Sequence, residues 1–208
     1  MLDRNVILIG YSGHGYVVAD IAIENNYKLL GYTEKSIVQN NPFDLEFLGN
    51  ENESSFLDNY SNKGGFVLGI GNNNLREKIF KDLINKGCLI LKLKSLSASV
   101  SNTAIIDTGT FVNRNVSINA FSKIGKNVIL NTACIIEHDC FISDSVHIAP
   151  GAVLAGNVSV GERTFVGANS VIRQGVKIGR DVIIGAGAVI LEDVPDGVKI
   201  VGNPGYLI

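Results

Sequence analysis

The sequence predicts a chain in two parts: an α/β N-terminal domain on a small Rossmann-like parallel sheet (residues 1–95), followed by a parallel β-helix (residues 96–208). Two observations carry this reading. From Val100 to Ile190 an aliphatic residue stands at every sixth position, sixteen in succession with no polar interruption. Ahead of that run, the apolar segment Asn5–Ile9 leads into the glycine-rich stretch Gly10–Gly15 and then a helical pattern, the opening of a parallel α/β unit.

A period of six matches neither the 3.6 of an amphipathic helix nor the two of a single strand. It matches short strands separated by turns, three of which close one coil of about 18 residues. Four residues after each aliphatic comes a small or β-branched residue, in a series from Ala104 through Cys134 and Cys140 to Val194, so each hexad has two inward positions. Gly, Asn and Asp recur where the corners must fall, at Asn127, Gly151, Asn169 and Asp181 among others. Sixteen hexads amount to about five coils. The serine-rich stretch Ser95–Ser101 reads as the junction between the two parts.

In the N-terminal half, residues 5–9 read as a buried strand and the helical pattern begins at Val17. A second strand, Lys28–Tyr32, leads to Glu34. A third, Phe66–Ile70, ends in Gly71-Asn72-Asn73-Asn74 before a helix beginning near Leu75. The alternation predicts three or four parallel strands with ligands at their carboxyl ends. Gly10, Gly13 and Gly15 are spaced GxxGxG rather than GxGxxG, which leaves a phosphate-contacting turn and plain backbone geometry both open. Glu34 is open in the same way, between a ribose or base contact and a solvated carboxylate.

Composition narrows the function classes. The chain has 208 residues, 46% of them apolar, and a formal charge of −2 with no basic stripe, which excludes nucleic acid as a partner. No apolar run reaches the roughly 20 residues of a spanning helix, and the N-terminus lacks a secretory pattern, so a cytoplasmic protein without membrane insertion is expected. Cys88, Cys134 and Cys140 are odd in number and lack CxxC spacing, so they read as small buried residues; no metal site is expected.

The hexad period resembles that of the hexapeptide-repeat acyltransferases, whose coils wind left-handed. Together with the strand, the Gly-Tyr-Ser-Gly-His-Gly turn, the acidic end of the second strand and the Gly-Ile-Gly-Asn-Asn turn, it makes nearly the whole chain resemble the PglD and NeuD family of bacterial sugar acetyltransferases. The resemblance implies an acetyl-CoA-dependent N-acetyltransferase acting on a nucleotide-linked amino sugar, a 4-amino-4,6-dideoxy sugar for a surface glycan, and a homotrimer. It implies nucleotide-sugar contacts at Ser12, Gly13, His14, Glu34 and Gly71. Relatives carry consecutive aspartates at the second-strand position, where this chain reads Thr33-Glu34-Lys35, so the nucleotide base is open.

His138 holds the third position of the hexad that starts at Ile136, outside both inward slots, and its Glu-His-Asp-Cys context matches the one in which the family carries its catalytic histidine. The resemblance therefore implies a general base, a task for which imidazole is suited. Asp139 or Glu137 can orient it, and the resemblance favours Asp139. Asn131 matches a family asparagine near the acceptor. With Cys134 and Cys140 turned inward, direct transfer is expected rather than a covalent relay. His147 lies about half a coil beyond His138, on a different side of the prism. The resemblance assigns it, with Ala168 and Ala186, to acetyl-CoA, and a site that uses both histidines lies between two prisms. Two rival readings are O-acetylation of sialic acid and a hexapeptide-type metal-dependent carbonic anhydrase. The second needs three histidine ligands on the prism, where only His138 and His147 are available.

Overall fold

The structure, a computed structural model, describes residues 4–51 and 56–208. The chain divides into two compact units, Met1–Leu93 and Lys94–Ile208.

In the first unit β1 (Asn5–Ile9), β2 (Lys28–Thr33) and β3 (Gly65–Leu68) form a parallel sheet in the order β2-β1-β3, with helices α1 (Gly13–Glu24), α2 (Phe56–Tyr60) and α3 (Asn73–Asn85). The central strand β1 is apolar along Val6–Ile9 because both of its faces are covered, and all four residues are fully buried. Helix α1 starts at Gly13, four residues before the expected Val17, with Ser12 extended at its N-cap. The helix start lies close to the preceding turn: a side chain on Gly15 would run into the Gly10 carbonyl, and Gly10 itself is left-handed at φ 86°. Helix α3 likewise starts at Asn73 rather than Leu75, because the Asn72 side chain caps it by accepting from the Leu75 N–H at 2.9 Å.

The second unit is a left-handed parallel β-helix of about six turns. Its strands up to Ile190 are two residues long and stack into three sheets, each pairing with strands one course away, as Ile129–Leu130 pairs with Phe111–Val112 and with His147–Ile148. The inward aliphatics form one continuous core from Ala98 to Ile200. Polar residues at the second inward position are satisfied within the stack: Thr110, Ser122 and Thr164 each donate a hydroxyl to the carbonyl 15 residues on, at 2.7 Å. The corners have a single conformation. The residue three after each inward aliphatic has positive φ at every hexad from Gly109 to Gly187, which is why Gly, Asn and Asp gather there.

Two expectations about the prism are corrected. Ser95–Ser101 already belongs to the first course of the coil and is not a junction: the Ser95 N–H donates to the Val112 carbonyl, and Ser99–Val100 pairs with Ser117–Ile118. At the other end the regular spacing breaks. Val194 pairs with Ile178 and Ile200 with Ile184, 16 residues apart instead of 18, so Val194 takes the place of an inward aliphatic rather than the second inward slot. In the shortened course the Asp193 carboxylate accepts the Lys177 N–H at 2.8 Å, the role that backbone carbonyls have in the courses before it.

Candidate active site

A cleft of 310 Å³ opens at the carboxyl ends of β1, β2 and β3, where an open α/β sheet presents ligands to its loops. Ser12, Glu34 and Gly71 line it, with Gly10, Thr33, Lys35, Glu51 and Asn72. Gly13 and His14 lie in the first turn of α1 and are not among the lining residues. Glu34 is held in place, since its carboxylate accepts the Tyr11 N–H at 2.8 Å. Glu51 is fixed in the same way by the Thr33 hydroxyl, which donates at 3.0 Å. Gly71 departs from the structural glycines of this unit. Its φ is not left-handed and nothing lies within 4 Å of where a side chain would start, so its bare backbone leaves open space on the cleft.

Beneath this wall Arg76 is buried, with its guanidinium donating to the carbonyls of Ile70 and Gly71 at 3.2 and 3.1 Å and to Asn73 Oδ1 at 3.0 Å. Burial pushes its pKa down to about 9, so it remains a cation at neutral pH. The sequence reading missed Arg76, Thr33 and Glu51. An arginine five residues after a turn glycine is a signal of sorts, but nothing local marks Glu51.

On the prism, His138 and Asp139 form a corner. Asp139 occupies the left-handed position at φ 58°, which turns its carboxylate back on the preceding ring, and His138 Nδ1 lies 2.9 Å from Asp139 Oδ2. The carboxylate is the one that meets the imidazole; Glu137 instead lends its backbone carbonyl to Ser122 Oγ. A carboxylate in its ionised form only accepts, so Nδ1 is the donor in that contact, and in the neutral ring Nε2 then presents the lone pair. Both side chains are about half exposed, at 52% and 56%.

Asn131 does not join this pair. Its Oδ1 accepts from Asn113 Nδ2 and from the Thr132 N–H, each at 2.9 Å, which aims its own Nδ2 at His147 Nε2, 3.3 Å away. With Nε2 accepting, the hydrogen of His147 sits on Nδ1. The ring is buried and packs edge-on against Phe165 at 5.0 Å. Ala168 and Ala186 follow strands Phe165–Val166 and Ile183–Ile184 in the sheet that contains His147–Ile148. Apart from Gly13 and His14, which stay in the first turn of α1, the predicted residues fall into three groups: the cleft, the His138–Asp139 corner, and the face carrying Asn131, His147, Ala168 and Ala186.

Burial pushes the Cys134 thiol up to about 12 and raises that of Cys140, whose Sγ donates to the Ala155 carbonyl at 3.3 Å; both are thiols at neutral pH. Among the described residues no group of three or more His, Cys, Asp or Glu is placed to hold a metal ion. None of their helices is long and apolar enough to cross a membrane. A larger hollow of 460 Å³ lies at the C-terminal end of the prism, bounded by Ile190, Val194, Ile200 and Tyr206, and includes none of the predicted site residues.

Comparison with known proteins gives concordant results. Residues 5–83 match the family model described as the PglD N-terminal domain, and residues 139–174 and 157–192 match the bacterial transferase hexapeptide model. A GDP-perosamine N-acetyltransferase of Escherichia coli is 32% identical over 102 residues, 49% of this chain and 46% of that protein, so the match spans about half the length of the curated relative. Among solved structures, the acetyltransferase domain of PglB from Neisseria gonorrhoeae in complex with acetyl coenzyme A is 32% identical, with a TM-score of 0.92 over 99% of this chain and 100% of that one. PerB from Caulobacter crescentus in complex with CoA and GDP-perosamine is 32% identical, with a TM-score of 0.91 over 98% and 97%.

Proposed function

The chain belongs to the PglD-like family of hexapeptide-repeat sugar acetyltransferases, and from that premise we propose that it transfers the acetyl group of acetyl-CoA to the amine of a nucleotide-linked 4-amino-4,6-dideoxy sugar. The observation that carries the reading is the His138–Asp139 pair, an exposed imidazole whose Nδ1 is tied to a carboxylate and whose Nε2 is left to take a proton.

The sugar nucleotide binds the cleft of the first unit, where Gly71 leaves its backbone bare and Glu34 and Glu51 offer fixed carboxylates to the N–H and O–H groups of a nucleoside. Acetyl-CoA is held by His147, Ala168 and Ala186, whose small side chains leave room for the pantetheine arm. The amine nitrogen attacks the thioester carbonyl carbon. His138 Nε2 takes the proton the nitrogen releases, the carbon–sulfur bond breaks, and the imidazolium returns the proton to the departing thiolate. Asp139 keeps the ring in the receiving tautomer and stabilises its charge.

His138 and His147 leave different sides of one prism, which supports a homotrimer in which the site forms between neighbouring copies. Exposed Phe121 and Phe141, beside the His138 corner, supply apolar surface for that contact. The reaction belongs in the cytoplasm, where activated sugars and acetyl-CoA are both found, and its product serves glycan assembly.

The test is a screen of GDP-, UDP- and dTDP-linked 4-amino-4,6-dideoxy sugars with acetyl-CoA, reading free thiol and product mass. Thiol release that requires the sugar amine is expected with at least one of them. Inertness towards all three, with turnover on sialic acid, would move the assignment to O-acetylation.

A further inference from the structure

Gly156 lies at the same corner as His138, one course further along the prism; the Asn157 N–H donates to the His138 carbonyl at 2.8 Å and locks the two courses together. A side chain begun at Gly156 would stand 2.5 Å from both Cε1 and Nε2 of His138 and 3.1 Å from its Cδ2, and these are the three nearest atoms. No backbone atom is among these three neighbours. Its φ lies outside the left-handed region, so an L-residue could take the same backbone. Gly161 and Gly167, by contrast, face backbone atoms of the next course at 2.5 Å, and Gly151 and Gly187 are left-handed corners.

We infer that Gly156 is a positioning residue for the general base, a flat shelf on which the imidazole of His138 rests. The inference builds on the proposed role of His138. Two constraints fix a ring that is otherwise half in solvent: Asp139 ties its Nδ1 edge at 2.9 Å, and the bare Cα of Gly156 lets the opposite edge lie flat along the prism. A methyl group at 156 lifts that edge, stretches the bond to Asp139 and moves Nε2 away from the position at which it meets the acceptor proton.

The experiment is Gly156→Ala, alone and combined with His138→Ala. Gly156→Ala is expected to fold with a Tm no lower than wild type, because the nearest atoms to the new methyl group all belong to the imidazole. Its kcat should fall about 10- to 100-fold, the cost of misplacing a reacting group by about an ångström, with both KM values within twofold. Nitrogen-15 spectra of the imidazole should lose the signature of the Nδ1 hydrogen bond. In the His138→Ala background the same substitution should change nothing further. A kcat within twofold of wild type, an unperturbed imidazole spectrum, or an equal loss in both backgrounds would overturn the inference while leaving the role of His138 intact. A drop in Tm that persists without the imidazole would also overturn it, by placing the need for glycine in the fold. Failure of the underlying reading shows separately, as full activity of His138→Ala alone.

Discussion

In the proposed reaction Nε2 of His138 is the atom that takes the proton, since Asp139 meets Nδ1 and both groups stand open at the corner. His138→Ala should lower kcat by about 10² to 10⁴, the usual worth of a positioned general base, and leave the binding of both substrates nearly unchanged. His147→Ala should raise the KM for acetyl-CoA more than it lowers kcat, because its proposed role is contact with the cofactor, through a ring buried against Phe165 and held by Asn131. Steady-state kinetics on the two variants separates these roles, and an alanine at 138 with most of the wild-type kcat would remove that residue from the mechanism. That His138 stands outside the core was legible in the sequence, because its place in the hexad avoids both inward slots. The choice between Glu137 and Asp139 was not, since both flank the ring and only the left-handed corner turns Asp139 towards it. Arg76 was illegible for a related reason: its partners are carbonyls, which have no signature in sequence. Arg76→Leu leaves the Ile70 and Gly71 carbonyls without the guanidinium and should cost about 1–3 kcal/mol. Titration calorimetry should also show weaker sugar-nucleotide binding, because those residues form the cleft wall.

The course of the prism is the element on which stability is decided, and its interior tolerates no charge. Ile148 is fully buried between Leu130 and Val166, so Ile148→Asp places an unpaired carboxylate in an aliphatic stack and should destabilise the fold by several kcal/mol. A Tm equal to wild type would show the inward register to be wrong. Corners behave differently. Arg163 holds Asp181 on the next course through two bonds, at 2.7 and 2.8 Å, and its hydrogen bonds hold the Asp181 carboxyl below the usual carboxylate range. A carboxyl depressed in the folded state adds stability above its unfolded pKa and loses it as pH falls through the folded value. The pair is open to solvent, so its worth is below about 1 kcal/mol. Asp181→Asn should therefore melt slightly below wild type at neutral pH, and the difference should vanish in acid; a gap that widens on acidification would contradict the sign. The regular courses were legible because each repeats the same demand for an aliphatic and a corner residue. The last course was not, because counting by six carries no knowledge that the Asp193 carboxylate can replace a backbone carbonyl and shorten the coil by two residues.

For the molecule as a whole, the division of labour between the units is the claim most open to a direct test. The prism's core is continuous from Ala98 to Ile200 and draws on no residue before Lys94. A solenoid of this kind is stabilised course by course, each by its neighbours. A chain begun at Lys94 should therefore fold, keep the cooperative melting of the prism and retain affinity for acetyl-CoA, while losing affinity for the sugar nucleotide along with Ser12, Glu34 and Gly71. The point of truncation matters. The Ser95 N–H is bonded to Val112 and Ser99–Val100 pairs with Ser117–Ile118, so a cut after Ser101 strips the start of the first course and uncovers part of the aliphatic face of the next. That shorter chain should melt lower than the one begun at Lys94, an ordering that a serine-rich junction would not produce. Calorimetry on both truncations, with each substrate titrated in turn, measures the two effects together. Tight sugar-nucleotide binding by a chain that lacks residues 1–93 would move the recognition of that substrate onto the prism and end the assignment of the cleft.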